Sequence, residues 1–211
     1  MKRIFLTSSI NIVAKDIARK IGDVEKLKTA FIDTAAEPKG ERKDLDWLKK
    51  DRKGLVDAGF NLTDYTITGK TPAEINGDLA GFDIIHVNGG NNFYLLLQAK
   101  KSGFDKFIKK FVEKGGIYIG SSAGSIVAAP DIEPTKKLQT KMYEEQLDNF
   151  QGFKIVDFLV LPHWGSEHFK DLYLNHRMDV AYSDKNKIIL LTDYQYVYVE
   201  NNILKIIDIR D

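Results

Sequence analysis

The chain contains no cysteine. That excludes disulfides, a thiolate nucleophile and cysteine-ligated zinc or iron–sulfur centres, so any covalent chemistry falls to oxygen or nitrogen. H-E-x-x-H is missing, and the spacing of His163 and His168 does not make a helical ligand pair, so no metal is expected. G-K-[ST] and G-x-G-x-x-G are missing too, which removes the usual signatures of phosphate and dinucleotide binding. No segment approaches the ~18 continuous apolar residues of a membrane-spanning helix. The start, "MKRIFLTSSI", has only a brief apolar run and no small-residue cleavage site, and the expectation is a soluble, cytoplasmic protein without a membrane partner. Neither sign of charge is in excess, with 31 Lys+Arg against 30 Asp+Glu. Nucleic acid is therefore not expected as a partner, and small molecules or peptides are.

What is present points to one α/β domain spanning residues 1–211. Short runs dense in β-branched and aromatic residues recur at 3–8, 28–35, 62–68, 83–90, 116–122 and 156–163. Between them lie helical patterns such as "VAKDIARKI", "LDWLKKDRKGLVDAG", "FYLLLQAKK" and "FDKFIKKFVEKGG". Alternation of this kind predicts parallel strands joined by right-handed crossovers, with helices on both faces and ligands at the carboxyl ends of the strands. Near the C-terminus two β-like runs flank Asn201 and Asn202, which predicts an antiparallel hairpin added at one edge of a mixed sheet. Residues 131–151 are polar and aperiodic and read as an excursion bordering a site.

The stretch "GGIYIGSSAGSIVAA" carries a strand into a helix, and its junction fits G-x-S-x-G centred on Ser122. A sharp strand-to-helix corner needs small residues two before and two after it, which Gly120 and Gly124 supply. The corner side chain then projects at the carboxyl edge of the sheet, and the following N–H, that of Ala123, meets a developing oxyanion at a helix start. The same spacing also suits a glycine-rich turn that only packs closely or cradles a phosphate. A second corner, "VNGGNNF", brings Gly89 and Gly90 to the same edge. A serine at such a corner needs a general base. Of four histidines, His86 lies within an apolar strand, and His168 and His176 fall in the predicted helix "SEHFKDLYLNHRMDVAY". His163 stands where "FLVLPHW" ends a strand.

"GGNNF", "YIGSSAGS" and "LPHW", in this order and spacing, resemble the serine-peptidase family of peptidase E (α-aspartyl dipeptidase) and cyanophycinase, over essentially the whole chain. The resemblance implies a three-layer α/β/α sandwich similar to class I glutamine amidotransferases, with no cofactor and a short peptide as substrate, in a monomer or homodimer. It matches Ser122 to the nucleophile, His163 to the general base, and the N–H groups of Gly90 and Ala123 to the oxyanion hole. The third member is open. Cyanophycinase-like members place an acid after the histidine, which points to Asp193. The acid assigned in peptidase E lies between serine and histidine, where this chain has Lys137 in register and Glu133 and Asp131 nearby as alternatives. Arg177 corresponds to an arginine thought to hold the side-chain carboxylate of an N-terminal aspartate. The implied activity is a serine dipeptidase. An esterase, a hydrolase of isopeptides or modified amino acids, and a non-catalytic binding protein on the same scaffold are the alternatives.

Overall fold

A computed structural model of the chain describes residues 2–138, 143–182, 187–201 and 203–210. Strands β1 (Arg3–Thr7), β2 (Lys28–Ile32), β3 (Asn61–Tyr65), β4 (Ile84–Val87) and β5 (Ile117–Ser121) are parallel and stand in the order β3-β2-β4-β5-β1. Every residue of β4 and β5 is buried, as expected of parallel strands covered on both faces. Crossovers run through α1 (Ile10–Ile21), α2 (Asp46–Asp57), α3 (Pro72–Leu79), α4 (Asn92–Ser102) and α5 (Phe104–Glu113).

The two-residue period of the strands divides the core. Ile4 and Leu6 of β1 and Tyr118 of β5 join Phe93 and Leu96 of α4 and Ile108 of α5 on one face. On the other, Phe5, Ile117 and Ile119 meet Val13 and Ile17 of α1 and Leu48 and Leu55 of α2. The result is a three-layer α/β/α sandwich. At its edge β8 (Gln195–Glu200) pairs antiparallel with β1, and β9 (Ile203–Asp208) pairs antiparallel with β8, so the seven-stranded sheet is mixed. Asn201 adopts the left-handed conformation of the hairpin turn at φ 53°; Asn202 lies outside the described residues.

Three local expectations need correction. The run at 156–163 does not extend the main sheet, because β8 already occupies the edge of β1. It forms only β6 (Leu159–Pro162), which pairs in parallel with β7 (Ile188–Leu191) in a separate two-stranded sheet. Helix α3 has no counterpart among the predicted helices, although its start carries a capping box, Thr71 with Glu74, and a proline in the first turn. The predicted helix at 166–182 is instead broken. After α6 (Ala123–Val127), which leaves the β5 corner, the later segment is a 3₁₀ turn (Glu167–Phe169), α7 (Lys170–Leu172), a π-helical turn (Tyr173–Arg177) and α8 (Met178–Ala181).

The excursion at 131–151 is irregular, with 3₁₀ turns at Glu133–Leu138 and Glu144–Gln146 and a bridge from Asp131 to Gln151; residues 139–142 lie outside the described set. No helix among the described residues is long and apolar enough to cross a membrane.

Candidate active site

At the end of β5 the chain turns through Ser122, whose φ of 50° and ψ of −107° lie outside the regions open to ordinary L-residues. The corner is held by its neighbours. Ser122 N–H donates to Thr7 O at 2.9 Å, and Ser122 O accepts from the N–H groups of Ser125 and Ile126 at 3.0 and 3.1 Å. Ser125 ties the elbow to β1, its hydroxyl lying 2.7 Å from Thr7 O and 2.8 Å from Gly120 O and accepting from Thr7 N–H at 2.9 Å. Tyr118 Oη donates to Gly124 O at 2.7 Å. A Cβ on Gly124 would stand 2.0 Å from Val87 O, so α6 could not lie against β4 with any larger residue there.

The parallel register of β6 and β7 sets Pro162 opposite Leu191, so the residues just beyond them emerge at one edge. His163 follows Pro162 directly, with φ 67°. Its Nε2 lies 3.0 Å from Ser122 Oγ and its Nδ1 2.7 Å from Asp193 Oδ1. A carboxylate can only accept, so Nδ1 carries the proton and Nε2 is free to accept from the serine hydroxyl. Burial opposes the charge on Asp193, but the hydrogen bond and charge of His163 and the Ser9 hydroxyl outweigh it and hold the carboxyl below its ordinary pKa. The imidazole ring stacks on Phe169, with centroids 4.4 Å apart and planes at 7°.

Two residues that sequence reasoning passed over brace this arrangement. Ser9 Oγ donates to Asp193 Oδ1 at 2.8 Å; Ser8 Oγ donates to Leu191 O at 2.8 Å and accepts from His163 N–H at 3.0 Å. Their signal was the "TSS" at the carboxyl end of β1, the edge where a parallel sheet collects its site.

The alternative acids lie elsewhere. Glu133 is exposed and pairs with Lys136 at 3.0 Å, while exposed Asp131 accepts from the Glu133 N–H at 2.7 Å. Neither has a hydrogen bond to His163. Gly90 has φ 137°, and a Cβ there would fall 2.0 Å from Ala35 O, so the corner after β4 requires glycine. The N–H groups of Gly90 and Ala123 donate to no turn or loop carbonyl among the described residues. His86, fully buried and stacked on Phe31 at 5.1 Å, is a core residue whose desolvation pulls its pKa down to about 4.

Ser122, His163, Gly90 and Ala123 line one cavity of about 780 Å³, together with Trp47, Asp51, Phe169 and Arg177. Arg177 is only 5% exposed, so it is not a solvated surface charge. One terminal nitrogen donates to Pro162 O at 2.7 Å, the guanidinium lies 4.4 Å from the Tyr173 ring centroid, and the buried Nε has no hydrogen-bond partner among the described residues. The π-helical turn gives this side chain its place. No cluster of three or more acids and histidines among the described residues is arranged to hold a metal ion.

A serine at a strand end of a mostly parallel, helix-covered sheet, met by a histidine and a carboxylate from the ends of the separate β6–β7 pair, defines the class as an α/β protein with a hydrolase-like site. The chain belongs to peptidase family S51, whose family model matches residues 4–207. It is 28% identical to an uncharacterized peptidase of Listeria monocytogenes, covering 94% of this chain and 95% of the relative. Peptidase E of Shigella flexneri serotype 5b is 41% identical, over a stretch covering 56% of this chain and 48% of that protein. Among solved structures, a Listeria monocytogenes EGD-e protein provisionally named peptidase E superposes with a TM-score of 0.88, at 25% identity and 99% coverage of both chains.

Proposed function

We propose that this chain is a serine peptidase that hydrolyses short peptides, with dipeptides carrying an N-terminal aspartate as favoured substrates. The observation that carries the reading is the hydrogen-bonded series from Ser122 Oγ through the His163 ring to Asp193, at 3.0 and 2.7 Å, beside a strained elbow. In this mechanism Ser122 attacks the scissile carbonyl as His163 Nε2 takes its proton. The N–H groups of Gly90 and Ala123 stabilise the tetrahedral oxyanion. The imidazolium, steadied by Asp193, then donates its proton to the departing amine. Water, deprotonated by the same imidazole, hydrolyses the acyl-enzyme and restores the serine.

Arg177 supports the aspartate preference. It is a buried guanidinium on the cavity wall with no carboxylate partner among the described residues, and a planar cation of this kind suits a carboxylate held bidentately. Membership of family S51 and the partial similarity to peptidase E point the same way.

A fluorophosphonate probe followed by peptide mass mapping tests the nucleophile. The expected result is a single adduct on Ser122, absent from folded Ser122→Ala. A wild-type protein that takes up no probe and cleaves no Asp-X dipeptide would overturn the reading.

A further inference from the structure

Helix α2 buries Leu48, Asp51 and Leu55 on one face, so an acid occupies a position of the core stripe. Asp51 is 8% exposed. Other charged side chains of α2 find partners at the surface: Lys49 pairs with Asp46, Lys53 with Asp57, and Arg52 with Asp64 of β3. Asp51 has no ion-pair partner among the described residues. An acid buried without a cation is costly, and burial pushes its carboxyl up to about 7 against the opposing pull of the Asn88 side chain and the Asn11 backbone, with the negative Asp193 adding to the rise. The position is built into the fold: at Gly54, α2 approaches α1 so closely that a Cβ would stand 2.5 Å from Asn11 Cα.

Asp51 faces the cavity that holds Ser122 and His163. Trp47, on the same helix, carries this wall to the serine corner. A Cβ on Gly89 would lie 3.1 Å from Ser122 Cβ and 3.8 Å from Cζ3 of Trp47, and Trp47 precedes Asp51 by one helical turn on the same wall. In an amino-terminal substrate the α-nitrogen is two bonds from the carbonyl carbon under attack, about 2.5 Å away, and so falls within about 6 Å of the serine oxygen. Asp51 presents a buried carboxylate with no cation partner among the described residues to the same cavity. Arg177, on the segment after His163, supplies the opposite charge to the same cavity.

We propose that the Asp51 carboxylate receives the free α-ammonium group of the substrate's N-terminal residue and is the residue through which the site discriminates against blocked amino ends. This rests on the serine-peptidase reading above. In it, Arg177 and Asp51 hold the two charges of an N-terminal aspartate while Ser122 attacks the carbonyl between them. Asp51 is a binding residue: it touches the substrate amine and takes no part in bond cleavage.

The test compares aspartyl-p-nitroanilide with its N-acetyl and desamino (succinyl) counterparts, on wild-type protein and on Asp51→Asn. The wild type is expected to favour the free amine by about 30-fold or more in kcat/KM. Asp51→Asn should erase most of that preference, chiefly through KM, with a much smaller change on the blocked substrates. Equal losses on free and blocked substrates would assign Asp51 a structural role and overturn the proposal, as would a wild type indifferent to the amine. Should Asp51→Asn not fold, Asp51→Glu applies the same criterion: a rise in KM confined to the free amine supports the proposal, and equal changes overturn it. Fluorophosphonate labelling of Ser122 separates the two readings, because wild-type protein that labels normally yet ignores the amine defeats this inference alone.

Discussion

Ser8 and His163 are joined across 155 positions of sequence: the His163 backbone N–H donates to Ser8 Oγ at 3.0 Å, and that hydroxyl donates onward to Leu191 O at 2.8 Å. One buried side chain thus ties the end of β1 to the ends of β6 and β7. Ser8→Ala removes both bonds and leaves the half-buried His163 N–H without its acceptor, at a cost of about 1–3 kcal/mol. The expected outcome is a lower Tm together with a kcat reduced several-fold and little change in KM. Unchanged kcat in a destabilised variant would show that the tie serves the fold alone.

Asp193→Asn should lower kcat by roughly 10³- to 10⁴-fold while leaving substrate binding largely intact, since an amide does not hold the imidazole in the required tautomer. The substitution also has a pH signature. Because the folded-state pKa is depressed, ionised Asp193 contributes stability that is present above the ordinary carboxylate pKa and lost as pH falls through its lower folded value. The stability gap between wild type and Asp193→Asn should therefore be widest near neutrality and close in acid, below about pH 4. Denaturant melts at several pH values measure it.

Gly90→Ala combines a backbone conformation that favours glycine with a Cβ placed 2.0 Å from a backbone oxygen. A destabilisation of at least about 2 kcal/mol is expected. If the Gly90 N–H serves as an oxyanion donor, the folded fraction should also turn over roughly 100- to 1000-fold more slowly. Active-site titration with a fluorophosphonate corrects the rate for folded protein.

Arg177→Met should reduce kcat/KM on Asp-X dipeptides by about 10- to 100-fold more than on Ala-X dipeptides. Arg177→Lys, which keeps charge but loses the planar fork, should fall between. An equal loss on both substrates would mean that the guanidinium only supports the carbonyl of Pro162, 2.7 Å away.

Much of the architecture was legible before the structure. Strand and helix periods alternate along the chain, and the three-layer sandwich with an edge hairpin follows from that order because parallel strands demand crossovers. Helix α3 was equally legible in "TPAE" and was passed over: its apolar period is weak, with only Ile75 and Leu79 buried. The break in the helix at 166–182 was not legible, since a π-helical turn leaves composition and spacing almost unchanged. The strand before His163 read correctly as a strand but not as one of a separate pair, because an apolar run reports burial and not its hydrogen-bonding partner.

What the sequence by itself determined was local: the strand-to-helix corner at Ser122 with its flanking glycines, the glycine-rich corner at Gly90, and a histidine at a strand end. Each is written in a few adjacent residues, because backbone conformation is a short-range property. Which groups meet was decided by the tertiary structure. Asp193, Glu133 and Asp131 are equivalent as acids in the chain, and only the register of β6 against β7, with Ser8 and Ser9 closing the gap to β1, brings Asp193 within 2.7 Å of His163. Asp51 shows the same division. Its place among Leu48 and Leu55 could be read from periodicity, but the cavity it faces exists only where α2 packs beside the ends of β4 and β5. Convergence of distant segments is set by packing and strand pairing over the whole molecule, and no local pattern encodes it.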